Sequence, residues 1–221
     1  MGIQLIGNGG TIIGAGEEAA KPLHVAQYPI EGNFYRYSGF TGTIGAALAA
    51  NSEVFQFRFV SGTKSFALVH YVRIDGVGIV AAATAAGPLG WNLTPARAWS
   101  AAGSGGTRIA VSGDNLQTET DLANSQVNDI GIATTGALTA GTKTLDANSQ
   151  GQHILSIGTG AITVYAAMAL GGDLFNAPNE GIQPLVLANQ EGFVIRTTHA
   201  GPATLTYTLG ITICWSEVTE Y

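Results

Sequence analysis

The sequence predicts an all-β fold, an antiparallel β-sandwich that is jelly-roll-like, with an irregular N-terminal arm and long loops. Three observations predict it. Apolar and polar residues alternate with period two in several stretches. Short strand-like runs are separated by Gly, Ser, Asn and Pro. No stretch carries the spacing of an amphipathic helix: residues 17–21 and 43–50 (TIGAALAA) allow one or two turns, and Gly and Thr interrupt anything longer. Many short strands of this kind suit a sandwich rather than alternating βα units.

Taken in order, residues 1–30 are irregular and contain Gly and Pro, and are expected to form an arm that lies on a neighbour. Residues 31–221 are expected to form one sandwich domain. In residues 54–60 (VFQFRFV), Phe55, Phe57 and Phe59 point one way, and Gln56 and Arg58 the other. In residues 66–74, the same alternation puts Phe66, Leu68, His70, Val72 and Ile74 on one face. The loop 61–65 (SGTKS) between them reads as a hairpin connection. The stretch 92–129 is richer in polar and small residues, and reads as a surface excursion carrying Asp114, Glu119, Asp121 and Asp129. Residues 108–112 and 161–170 are further candidate strands; in the second, Ile162, Val164, Met168 and Leu170 share a face.

The C-terminal block alternates over thirteen residues, 204–216. Leu205, Tyr207, Leu209, Ile211, Ile213 and Trp215 line one side, which must be core together with Phe55, Phe57 and Phe59. Thr204, Thr206, Thr208 and Thr212, with Gly210 and Cys214, line a side that can face water. Residues 192–198 form the preceding strand, and Gly201-Pro202 marks the turn between the two.

Composition narrows the function. Only 11% of the chain is charged and 46% is hydrophobic, against roughly 25% charged in an average soluble domain. A free monomer needs surface charge to stay dispersed. A chain this poor in charge is expected to hide much of its exterior against copies of itself or a larger body. The net charge is −6, and the nine basic residues form no cluster, which argues against binding nucleic acid through phosphates. Cys214 is the only cysteine, so no intrachain disulfide forms. Residues 76–91 are mostly Ala and Gly with Pro88, too weakly hydrophobic to span a bilayer. The N-terminus lacks the basic region of a signal peptide, so the expectation is assembly in the cytoplasm and no membrane partner.

Catalytic patterns are missing. His24, His70, His153 and His199 show no metal-ligand spacing, and no GxSxG occurs. His70 lies on a core-like face, where a satisfied hydrogen bond is the expected role. The glycine-rich pieces 7–10 and 158–160 lack a P-loop lysine and read as turns. Asp173, Glu180 and Glu191 are the carboxylates that could serve glycoside cleavage. The acidic stretch 114–121 could hold Ca²⁺ but does not match an EF-hand. Asn92-Leu93-Thr94 has the glycosylation form, followed by Pro95. No cofactor is expected. Trp91 and Trp99, with Tyr35 and Tyr37, are the candidate interface residues; core packing is the competing assignment for the two tryptophans.

Several strings, in order along nearly the whole chain, resemble a family of tailed-bacteriophage virion structural proteins. They are residues 51–57 (NSEVFQF), 96–107 (ARAWSAAGSGGT), 130–145 (IGIATTGALTAGTKTL), 184–196 (PLVLANQEGFVIR) and 213–217 (ICWSE). The resemblance implies a part of the virion, such as a head decoration or cement protein or a fibre or tail-associated part, and brings no catalytic residues. The combined expectation is a non-enzymatic virion component, a homotrimer that meets the major capsid protein or other virion proteins. The rivals are a carbohydrate- or receptor-binding module, which needs exposed aromatics such as Trp91, Trp99 or Tyr165, and a polysaccharide depolymerase, which needs a carboxylate pair in a cleft.

Overall fold

The structure is a computed structural model and describes residues 4–6, 12–14, 33–109, 125, 127–159 and 171–221. The chain divides into two compact units, Met1–Ile30 and Glu31–Tyr221. In the first, β1 (Gln4–Ile6) and β2 (Ile12–Gly14) pair antiparallel, so the segment read as irregular contains a short hairpin.

The second unit is a two-sheet sandwich. One sheet has seven strands in the order β10 (Gly151–Ile157), β6 (Gly87–Ala101), β13 (Glu191–Thr197), β4 (Glu53–Phe59), β8 (Val127–Ile132), β7 (Thr107–Ile109), with β9 (Thr142–Leu145) also on β6. The other has five, β11 (Gly172–Asn176), β5 (Phe66–Ala81), β14 (Thr206–Val218), β3 (Asn33–Phe40), with β12 (Leu185–Leu187) also on β5. The pairs are nested: β3 with β14, β4 with β13, β5 with β11, and β6 with β10. That is one long antiparallel ribbon rolled across two sheets, the jelly roll the alternation pattern predicts.

The rolling corrects two local readings. Residues 61–65 do not close a hairpin, because β4 and β5 lie in different sheets. The Gly201-Pro202 turn likewise carries the chain from β13 in one sheet to β14 in the other. Both connections arch over the core. A short helix, α1 (Ala177–Glu180), follows β11. The candidate strand 161–170 and the acids Asp114, Glu119 and Asp121 lie outside the described residues.

The inward faces carry the aromatic alternation. Phe55, Phe57, Phe59, Leu205, Tyr207, Leu209, Ile211, Ile213 and Trp215 are all buried in one cluster. Phe57 stacks on Phe193 at 5.0 Å and meets Trp215 edge-on at 5.2 Å, which joins the two sheets. Tyr35 stacks on Trp215 at 5.5 Å, and Trp91 meets Tyr207 edge-on at 5.7 Å.

Two strands depart from simple alternation. Sixteen residues of β5 pair with thirteen of β14, and the register skips His70, Asp75 and Val80. Each skipped residue is a β-bulge that reverses the side-chain phase. Ala67, Val69, Val72 and Ile74 therefore join the core, with Val77 and Ile79 packed against it. Phe66, Leu68 and His70 do not lie on that face as alternation alone predicts. Strand β6 corrects the excursion reading: residues 92–101 lie inside a sheet. Pro95 is tolerated there because its carbonyl, and hence its missing N–H, faces the interval where β10 has ended and β9 has not begun; that carbonyl accepts from Asp146 N at 3.0 Å.

Candidate functional site

Four aromatic residues expected at an interface belong to the chain's own interior. Trp91, Trp99 and Tyr35 are 0% exposed and Tyr37 is 8% exposed. Trp91, Tyr35 and Tyr37 face the core between the sheets. Trp99 faces the opposite side of the seven-stranded sheet, in a small cluster with Ala96, Val194 and Leu145. Ala96 and Trp99 share that face although three residues apart, because Ala98 takes a left-handed conformation (φ 49°) that absorbs the phase change. The Trp99 ring lies over Gly192, where a Cβ would come within 3.0 Å of it.

Around Trp99, the outer face of the seven-stranded sheet gathers most of the described charge. Lys143, on β9, places Nζ 4.3 Å over the Trp99 ring and 2.9 Å from Oε2 of Glu53, and also donates to the Ala140 carbonyl. Gln56 donates from Nε2 to Glu53 at 2.5 Å and to the Thr139 carbonyl at 2.8 Å. Arg108 crosses the bare backbone of Gly131 to reach Asp129 at 2.9 Å and the carbonyl oxygen of Gln56 at 3.0 Å. At the margin, Arg97 pairs with Asp146 (3.2 Å) and Glu191 (3.0 Å). Arg196 donates to Thr94 at 3.0 Å.

The side chains of Lys143 and Glu53 are only 2% and 7% exposed. Burial pushes the Lys143 ammonium below its ordinary pKa, and the Glu53 carboxylate opposes that shift. The hydrogen bond to Asp146 is the main cause that raises the Arg97 pKa. Lys143, Arg108 and Arg97 are matched by carboxylates within the chain, whereas Arg196 rests on Thr94 and the buried Nε atoms of Arg58 and Arg196 have no hydrogen-bond partner. Of the charged residues whose surroundings are described, only Arg36, Arg73, Asp173, Glu180 and Glu220 are exposed.

The outer face of the five-stranded sheet is also less watery than its threonines predict. Thr212 is 2% exposed and Ser216 fully buried. The bulged residues reach back onto β14: His70 Nε2 lies 2.9 Å from Ser216 Oγ, and Asp75 bonds the Thr212 hydroxyl. His70 thus finds its hydrogen bond on the outer face, stacked on Phe34 at 5.4 Å, and burial lowers its pKa. Burial raises the Cys214 thiol pKa, partly offset by Arg36.

The carboxylates proposed for glycoside cleavage do not converge. Glu191 sits on β13 against Arg97, whereas Asp173 sits on β11 in the other sheet, bonded to Asn176, and Glu180 ends α1. An open cleft of about 350 Å³ beside Asp173 is lined by Arg73, Asp75, Gly171 and Gly172. It holds Asp75 beside Asp173, but Asp75 is already paired with Arg73 at 2.9 Å. Tyr165 and the acidic stretch lie outside the described residues. Among the described residues no three His, Cys, Asp or Glu side chains gather to hold a metal ion. No described helix is long and apolar enough to cross a membrane.

No protein-family model, curated protein or solved structure matches the chain. Sequence reasoning missed Glu53, Gln56, Arg108 and Lys143 as a group. They come from three separate strands, β4, β7 and β9, and the only local signal is the polar alternation of Gln56 and Arg58 within an aromatic run.

Proposed function

We propose that this chain is a non-enzymatic structural component of a tailed-phage virion, a homotrimer that decorates or cements the capsid by protein–protein contact. The observation that carries the reading is the neutral exterior. Among the described residues, Lys143, Arg108 and Arg97 on the outer face of the seven-stranded sheet are paired with carboxylates of the same chain. The described residues that are exposed are chiefly Gly, Ala, Ser and Thr. Such a surface is poorly suited to a dispersed monomer and well suited to close contact with sister subunits or a shell. Many copies on one particle would let weak single contacts suffice. The resemblance of several ordered strings to virion structural proteins points the same way. The burial of Trp91 and Trp99 and the placement of Asp173 and Glu191 in different sheets weigh against the sugar-binding and depolymerase rivals as far as those residues carry them.

Three assays on the purified chain separate the readings: co-sedimentation with purified capsids, glycan-array binding, and polysaccharide hydrolysis. Saturable capsid binding with silence in the other two is expected. Glycan binding or hydrolysis without capsid binding would overturn the proposal.

A further inference from the structure

Lys143, which lies over the Trp99 ring, meets Glu53 and Gln56 in a geometry that goes beyond an ion pair. Nζ of Lys143 and Nε2 of Gln56 both rest on Oε2 of Glu53, at 2.9 Å and 2.5 Å. The carboxamide is held at its other end too, since its Oε1 accepts from the Arg108 guanidinium at 3.0 Å. Gln56 is fully buried and Glu53 is 6% exposed. An amine, a carboxylate touching both the amine and an amide nitrogen, and a cation on the amide oxygen are the parts of an amide exchange.

We propose that Lys143 and Gln56 condense within one chain to an isopeptide bond, releasing ammonia, with Glu53 as the proton carrier. Glu53 takes a proton from the Lys143 ammonium and frees the electron pair of Nζ. Nζ attacks Cδ of Gln56, and the charge gathering on Oε1 falls on the guanidinium of Arg108. Glu53 passes its proton to Nε2 and takes a second one from the attacking nitrogen. The Cδ–Nε2 bond breaks, and ammonia leaves with that proton as ammonium. Charge and atoms balance, and no oxidant or other reagent is consumed.

The pocket favours each step. Burial lowers the Lys143 pKa, which enlarges the fraction of free amine at neutral pH. The burial of the Lys143, Glu53 and Gln56 side chains keeps out water that would compete for Cδ. Both reacting groups sit on one carboxylate oxygen, which holds the amine and the carboxamide next to each other. The bond would fasten β9 to β4, and with it the segment that covers the outer face. In a chain whose one cysteine is free, it would serve as the covalent staple.

Intact-mass spectrometry of the denatured full chain, with peptide sequencing, is the test. The expected result is a mass lower by one ammonia and a branched peptide joining Lys143 to Gln56. Lys143→Arg keeps the charge beside Glu53 but cannot form the amide, and Glu53→Gln removes the proton carrier; both are expected to lose the branched peptide completely. The branch decides the matter, because asparagine cyclisation elsewhere also releases ammonia. Linear peptides with unmodified Lys143 and Gln56 in the native chain would overturn the proposal, as would a loss of water that joins Lys143 to Glu53. The isolated chain is the sample, so a negative result leaves the capsid reading standing.

Discussion

The two faces of the seven-stranded sheet are built from alternate residues of the same strands, yet they are held by different forces. On β4 the inward set is Phe55, Phe57 and Phe59, and the outward set is Gln56 and Arg58 with Glu53 at the strand's start. The inward face is stabilised by removing aromatic surface from water, which depends on no single partner. The outward face is covered as well, but by matched charges and hydrogen bonds, where each member leaves another exposed to a desolvation penalty if it is lost. Burial alone therefore does not say how a face is held; the partner list does.

The comparison breaks most visibly at Phe57. Phe57→Ala removes a ring that touches both Phe193 and Trp215 and is expected to cost about 3–5 kcal/mol in equilibrium denaturation. A loss no larger than that of a surface substitution would mean the aromatic contacts do not join the sheets.

Tyr207 tests the inner face by pH. Its hydroxyl and the Trp91 indole N–H make no well-formed hydrogen bond, and burial pushes the hydroxyl up to about 12, with Trp91 acting in the opposite sense. The unfolded chain ionises first, near pH 10. Stability is therefore intact below pH 10 and falls by about 2–3 kcal/mol as the pH climbs to about 12. Tyr207→Phe is expected to abolish this part of the alkaline slope while changing stability little at pH 7. An unchanged slope would show that the hydroxyl reaches water.

On the outer face, Asp129→Ala leaves the Arg108 guanidinium without its carboxylate and is expected to cost about 1.5–3 kcal/mol. The paired change Arg108→Met with Asp129→Leu should recover most of that loss, because it replaces the pair rather than orphaning one member. Additive losses in the double variant would place the two residues out of contact. The smallest effect is expected at Arg73, whose pair with Asp75 is open to solvent at 53% exposure. Arg73→Ala should shift stability by no more than about 0.5 kcal/mol, and a larger change would make exposure a poor guide to the worth of these pairs.

Sequence pattern reached as far as local alternation reaches. The phases of β4 and β14 were legible, because Phe55, Phe57 and Phe59, and Tyr207 through Trp215, alternate inward without a break; only Val54, at a register shift, joins the core out of phase. Strand β5 was not, because bulges at His70, Asp75 and Val80 reset the phase in response to β14, a partner more than a hundred residues away in sequence. Strand β6 was obscured by Pro95, whose missing donor is harmless only in the gap between two neighbouring strands. The tryptophans were ambiguous because their size suits either a core or an interface, and the choice depends on what β9 lays over Trp99. The Glu53–Gln56–Lys143 cluster had no motif to betray it, since rolling the ribbon is what brings β4 and β9 together.

The account rests on an exterior with too little free charge to stand alone in water. Light scattering of the purified full chain at high salt measures this most directly. A closed assembly with the mass of three chains is the predicted result, and a stable, freely soluble monomer at every concentration would contradict it.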